Sequence, residues 1–255
     1  MKSLLKNYKK IIAIAFMVVA VVAIGTSQAM QIDLGTAANF AVLGGSAVTN
    51  AGSLTFITGD VGSCPTPSVT GLLPAQVIGM LYLAADPATA LAQTDLLAAY
   101  TIAASATGGV TGPADLGSAI LAPGVYTYAA IAPWTAGTLT LDGQSNSNAQ
   151  WIFQIGTGLT TPSNAVVSLI NGASSNNVFW QIGTSLTLGS ANTFAGNILA
   201  NTSITIGGGT LNGRALAING AVAISSAEII SVPVPEPATL CLLGLGALSF
   251  VKRKR

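Results

Sequence analysis

Along most of this chain, apolar and polar residues alternate over runs of four to seven positions, and glycine, asparagine or serine separates one run from the next. Gly137 to Asp142, Trp151 to Ile155 and Asn177 to Ile182 are such runs. A period of two sends successive side chains to opposite faces, so the pattern predicts short strands with one buried side. One segment breaks the rule. Asp86-Pro87 supplies an N-cap and a proline at the first helical position, and the Ala/Leu-rich stretch that follows runs to Ala106 before Gly108-Gly109 ends it. Within it Ala92, Leu96, Ala99 and Ala103 recur at three- and four-residue spacing, which predicts a narrow apolar stripe lying flat on another layer. Asp95 and Thr101 fall off that stripe.

The strands repeat. The eight residues from Phe153 to Thr160 recur as Trp180 to Thr187, an offset of 27 with six of the eight identical. Ser185-Leu186-Thr187, Ser203-Ile204-Thr205 and Ala221-Val222-Ala223 then follow at intervals of 18. Short strands and glycine corners repeating at this length predict a β-solenoid, whose coils bury apolar residues against one another. Alternation sends Leu186, Leu188, Ile204, Ile206, Val222 and Ile224 inward. Ser185, Thr187, Ser203, Thr205, Ala221 and Ala223 point outward, and Thr138 and Thr140 alternate in the same way in an earlier strand. The unequal offsets require loops to interrupt some coils. The ladder also degrades at Ala221 and Ala223, and Gly207-Gly208-Gly209 interrupts the surface.

The two ends differ from this body. Lys2, Lys6, Lys9 and Lys10 precede an apolar run from Ile11 to Ile24 and the small-residue stretch Ser27-Gln28-Ala29, the three-part pattern of a secretory signal peptide with cleavage after Ala29. The run is short of the roughly 20 residues of a spanning helix. At the other end Pro233 to Pro237 leads into an apolar segment from Ala238 to Val251 and the basic cluster Lys252-Arg253-Lys254-Arg255, which the positive-inside bias keeps on the cytoplasmic side. Between the ends, residues 30–235 hold Arg214 as their one basic residue, against Asp33, Asp60, Asp86, Asp95, Asp115, Asp142 and Glu228. Phosphate recognition rests on several Lys/Arg contacts, so nucleic acid is a poor partner. With no histidine, the chain lacks the commonest general base and metal ligand. Cys64 and Cys241 fall on opposite sides of the expected tail boundary, which disfavours a structural disulfide.

The end residues themselves carry a resemblance. Val234-Pro235-Glu236-Pro237-Ala238-Thr239-Leu240, the Gly-rich apolar stretch and the terminal basic residues resemble a PEP-CTERM sorting signal, with Pro235, Glu236 and Pro237 as its motif. The resemblance implies a Gram-negative bacterium, export by way of signal peptidase and an exosortase, and a secreted or cell-surface protein held transiently in the membrane by residues 231–255. Residues 30–230 in turn resemble the ice-binding protein family. Asn39 to Leu43, Gly59 to Gly62, Thr70-Gly71, Pro123 to Tyr126, Leu139 to Leu141, Trp151 to Gln154, Asn177 to Gln181 and Leu211 to Ala215 match in order and spacing. That resemblance implies a mainly β protein, a discontinuous right-handed β-solenoid with one long α-helix packed alongside. It also implies adsorption to ice through one flat face, with no catalysis and no cofactor. The candidate ice-binding residues are Thr138, Thr140, Ser185, Thr187, Ser203 and Thr205. Thr36 to Asn39 and Thr135 to Thr138 also match a Thr-Ala/Gly-x-Thr/Asn pattern found in some members.

Other readings stay open at this point. Solenoids host glycoside-cleaving enzymes that work with carboxylates, for which Asp60, Asp115 and Asp142 are available; each sits beside a glycine or a turn, where Asp also serves local hydrogen bonding. Asp142 to Asn148 offers a calcium loop or a plain turn. Arg214 reads as a structural partner of a body carboxylate. A cell-surface or biofilm-matrix adhesive role, binding exopolysaccharide, is the main alternative: an exposed Trp134 or Tyr128 on a flat face favours sugar stacking, whereas a face of Thr, Ser and Ala favours ice.

Overall fold

The computed structural model describes residues 31–232. Helix α1, Pro87–Ser105, starts where Asp86 accepts the Ala88 N–H, and almost every other element is a short strand paired in parallel. Each circuit of the chain visits three sides. Val178–Ile182 lies on a first side, Leu186–Leu188 on a second, and the front half of Asn192–Ala200 on a third. The back half of Asn192–Ala200 then pairs with Val178–Ile182, returning the chain to the first side. The corner inside that strand is Gly196, at φ +113°, where a Cβ would lie 2.8 Å from Trp180 Nε1; only glycine turns the chain this close to the core.

The predicted repeat is the stacking register. Phe153 pairs with Trp180 and Leu159 with Leu186, both offset by 27, and Leu186, Ile204 and Val222 pair at 18. Identical inward positions therefore fall above one another: Leu186, Leu188, Ile204, Ile206, Val222 and Ile224 are all buried. In the core, the register-paired Phe153 and Trp180 rings stack 4.1 Å apart at 9°, and Phe194 lies tilted at 41° against Trp180 at 5.0 Å.

Chain order and stacking order differ at one place. The strand Gly209–Ala217 pairs with Phe40–Gly44, Ala221–Ile224 with Ala47–Asn50, and Glu228–Ser231 with Phe56–Thr58. Two N-terminal coils thus continue the stack beyond the C-terminal coil, which is the discontinuity of the solenoid. Helix α1 covers the first side. Its stripe, Ala92, Leu96, Ala99 and Ala103, is buried against Leu43, Ile152, Phe179, Leu199 and Leu216, and three alanines let the helix lie close. Glutamines fix its place along the stack. Gln154 donates to the Ala103, Ala104 and Ala106 carbonyls at the helix C-terminus, where the i+4 donors run out, and Gln93 donates to Gly44 O and Ala217 O on either side of the discontinuity. Asp95, off the stripe, accepts from Thr36 N and Oγ1.

Among the described residues, one basic and one acidic side chain are buried, Arg214 and Glu228. Arg214 pairs with no carboxylate among the described residues, contrary to the sequence expectation; Nε donates to Ala38 O at 2.9 Å, and Nη1 to Asn197 Oδ1 at 2.7 Å and Asn176 Oδ1 at 3.3 Å. Asn197 in turn donates to Asn176 O and Val178 O. Amide oxygens suffice because they are fixed acceptors that bring no second charge needing desolvation. Burial lowers the guanidinium to about 10, still protonated at neutral pH. Glu228 is 2% exposed, its Oε2 has no hydrogen-bond partner, and burial raises its carboxyl to about 8.

Arg214→Ala leaves Ala38 O, Asn176 and Asn197 without their donor, and a destabilisation of about 2–4 kcal/mol is expected in urea denaturation. Arg214→Lys is expected to recover little, since one ammonium replaces a fork. For Glu228 the unfolded carboxyl ionises near its ordinary value of 4.5 while the folded one keeps its proton to about 8. The folded state therefore binds more protons across that window. Stability is expected to be full below pH 4.5 and to fall as pH rises to about 8, by at most about 1.4 kcal/mol per unit. Glu228→Gln flattens the profile; denaturation midpoints at three pH values check this.

Candidate functional site

The second side is an exposed parallel sheet of six strands: Leu159–Thr160, Leu186–Leu188, Ile204–Ile206, Ala221–Ile224, Ala47–Asn50 and Val69–Thr70. The pairing places Thr160, Thr187, Thr205, Ala223, Thr49 and Thr70 in one outward row. Thr160, Thr187, Thr49 and Thr70 are exposed, and Thr205 and Ala223 half-buried. Rungs of such a sheet repeat at about 4.8 Å, so the six span about 24 Å. A second row lies two residues earlier on each strand, about 6.7 Å away. It includes Ser185, Ser203, Ala221 and Ala47, all half-buried. Thr157, Thr184 and Thr202 border it, tied by successive backbone bonds from Thr184 N to Thr157 O and from Thr202 N to Thr184 O. No charged or aromatic residue occurs in these strands.

The face is rigid for reasons below its surface. Beneath each threonine the neighbouring residues on its strand point into the core, and Leu159, Leu186, Leu188, Ile204, Ile206, Val222, Ile224 and Val48 are all buried. β-Branched threonines on a stacked sheet also lose little rotamer freedom on contact. Each presents one methyl and one hydroxyl at a fixed spacing.

A family model described as ice-binding-like matches residues 42–230. The chain belongs to this ice-binding-like family. An ice-binding protein of Nostoc sp. (strain HG1) is 45% identical over 238 residues, covering 87% of each chain, and one of Flavobacterium frigoris is 33% identical over 206 residues, covering 73% of this chain and 71% of that one. Among solved structures, an ice-binding protein from an Antarctic biological consortium superposes with a TM-score of 0.75 at 38% identity over 80% of this chain and 91% of that one. A domain of an ice-binding protein of Shewanella frigidimarina gives 0.71 at 27% identity, over 80% and 98%. The last residues, 233–255, match the PEP-CTERM protein-sorting motif; they and residues 1–30 lie outside the described residues, so the expected signal peptide and the Pro235-Glu236-Pro237 motif have no structural description.

Within this ice-binding-like fold the six candidate residues divide between two sides. Ser185, Thr187, Ser203 and Thr205 share the second side. Thr138 and Thr140 lie on the third, in the strand Thr138–Asp142 paired with Val166–Ile170. The row through Thr138 there runs Val166, Thr193, Thr210, Ile229 and Phe56, mixing hydroxyl, aliphatic and aromatic groups. The ladder loses its hydroxyls at Ala221 and Ala223, and Thr49 and Thr70 resume it from the N-terminal coils. Gly207 to Gly209 does not cut the face. Gly207 and Gly208 lie between the strands Ile204–Ile206 and Gly209–Ala217, and Gly208 and Gly209, at φ +112° and +129°, turn the corner between two sides. Thr160, Thr49 and Thr70 were missed; the first lies inside the 27-residue repeat, where Leu159-Thr160 matches Leu186-Thr187.

The remaining candidates have structural work. Thr36 is bound to Asp95, and Thr135 donates through N and Oγ1 to Asp115, so both short Thr-Ala/Gly motifs begin in hydrogen-bonded turns. Asp115 also accepts from Gly117 N, Asp142 from Gln144 N and Asn171 Nδ2, and Asp60 from Met80 N. These bonds hold Asp115 and Asp142 below the usual carboxylate range, the side-chain bond from Thr135 and the backbone bond from Gln144 being the largest causes respectively. Trp134 and Tyr128 are both buried, at 6% and 9% exposure, and offer no sugar-stacking platform.

Proposed function

We propose that this protein adsorbs to ice through its second side, by the row Thr160, Thr187, Thr205, Ala223, Thr49 and Thr70 with Ser185 and Ser203 beside it. The observation carrying the reading is that row: five threonines and one alanine in register on a flat, uncharged, rigid sheet, in a chain whose relatives are named ice-binding proteins. Methyls at such spacing confine water into a cage, and hydroxyls anchor the cage to the protein. The layer so ordered is close to the oxygen repeat of ice and merges with a growing crystal. Little ordering entropy opposes this, because the coils have already fixed the side chains.

The protein acts without catalysis on this reading, since Asp115 and Asp142 are occupied as turn caps and Asp60 accepts from Met80 N of the neighbouring segment. Exopolysaccharide adhesion is not favoured, because the second side carries no aromatic ring and both Trp134 and Tyr128 are buried. Residues 1–29 serve as a signal peptide, 30–230 as the ice-adsorbing domain, and 231–255 as the sorting tail that brings the chain to an exosortase and the cell surface.

Thermal hysteresis and ice recrystallisation, measured on the exported protein, test the assignment. Thr187→Tyr/Thr205→Tyr is expected to abolish most of both while leaving circular dichroism and the melting midpoint unchanged. Thr138→Tyr, on the third side, is expected to leave most activity in place. If the two variants behave alike, or the double variant retains full activity, the second side is not the contact surface.

Ala223 is the one rung without a hydroxyl. Ala223→Thr completes the row at a half-buried position and is expected to fold normally and to raise hysteresis. A fall in activity with an intact fold would mean that the alanine is itself part of the complementarity.

A further inference from the structure

The coil that ends the stack on the N-terminal side runs from Val69 through Ile78 to Tyr82, and among the described residues no strand lies beyond it. It and the coil beneath carry a concentration of exposed large apolar side chains: Leu54, Phe56, Leu73, Ile78, Met80 and Leu83, between 40% and 79% exposed. Neither coil contains a lysine or arginine. A monomeric soluble surface rarely gathers so many exposed apolar groups without a partner.

The chain leaves the described structure beside this end. Val232 N donates to Thr58 O at 3.1 Å, and a Cβ on Gly59 would lie 2.9 Å from Val232 Cγ1. A Cβ on Gly79 would in turn lie 2.5 Å from Gly59 O, so one strand layer separates the exit from the terminal coil. From Val232 the sequence has Pro233 to Pro237 before the apolar segment begins at Ala238. Six residues reach at most about 21 Å. The opposite end of the stack also exposes Ile120 and Ile131, but along the third side five strand steps, about 24 Å, separate Glu228–Ser231 from Ile120–Leu121. A tether of that length brings only the near end to a bilayer.

We infer that the terminal coil, through Leu73, Ile78, Met80 and Leu83, rests on a lipid surface while the C-terminal tail holds the chain in the membrane. The inference depends on the sorting tail and not on the ice reading. Without basic residues the contact is apolar and draws nothing from anionic lipid, the one charge beside Met80 being the Asp60 carboxylate. It is also weak, and the short tether sustains it by confining the patch next to the bilayer, so that it ends when the tail is removed. The threonine row then runs from the membrane outward.

The test uses the exported chain with its tail intact, in a Cys64→Ser/Cys241→Ser background, carrying an environment-sensitive NBD label at Met80→Cys or at Ile131→Cys. After reconstitution into phosphatidylcholine vesicles, with or without phosphatidylglycerol, the label at 80 is expected to shift to the blue and to be quenched by a lipid-borne nitroxide. The label at 131 stays in water. Leu73→Ser/Ile78→Ser/Leu83→Ser is expected to reduce quenching at 80 several-fold in both lipids, with circular dichroism unchanged. Equal quenching at both positions overturns the inference, as does quenching indifferent to the serine variant or a chain that fails to float with the vesicles. A blue shift at 80 that grows with protein concentration in the absence of lipid overturns it in favour of a second copy on the patch.

Discussion

A strand of two to five residues in this protein has no hydrogen-bonding partner within its own coil. Its N–H and C=O groups point along the stack, and only the coils above and below satisfy them. Parallel pairing of consecutive coils makes the side chains repeat at about 4.8 Å in straight rows, inward and outward alike. Large residues therefore stack on large ones inside, as in Phe153 on Trp180, and corners stack on corners, as in Gly213 against Gly196. The outward threonine row is the same register seen from the solvent side. A flat face of this kind comes from backbone geometry, and side-chain choice only decides what it displays.

Such a stack is held by nearest neighbours, and at the joint where the N-terminal coils meet the C-terminal ones the neighbours are segments about 170 residues apart. The structure concentrates specific polar contacts there. Gln93 spans the joint from the helix, binding Gly44 O and Ala217 O, and Arg214 reaches from the last long strand to Ala38 in the turn before Phe40–Gly44. The helix is more than a cover, since its alanine stripe touches Leu43 on one side of the joint and Leu199 and Leu216 on the other.

Much of this was legible in the sequence. The 27- and 18-residue offsets are the stacking register, the alternation gives the inward set, and Asp86-Pro87 marks the helix start. What periodicity cannot disclose is adjacency between residues about 170 positions apart. Thr49 and Thr70 carry no repeat signature of their own; they become part of the row only because Ala223 pairs with Thr49. For the same reason Thr138 read as equivalent to Thr187: both alternate with leucines, and nothing local records which side of a three-sided coil a strand occupies. The partners of Arg214 were hidden because an asparagine carbonyl, unlike a carboxylate, has no charge to pair by inspection.

The discontinuity also has a bearing on how the chain is made. Phe40–Gly44 and Ala47–Asn50 emerge early in synthesis, yet their pairing partners, Gly209–Ala217 and Ala221–Ile224, come near the end. Closing so long a loop is slow, and the outer rungs have no template until the last coil exists. An early segment of this chain therefore lacks its pairing partners while the rest is produced. On the proposed export route, a fold that cannot be finished early keeps the chain threadable until its last coil is made.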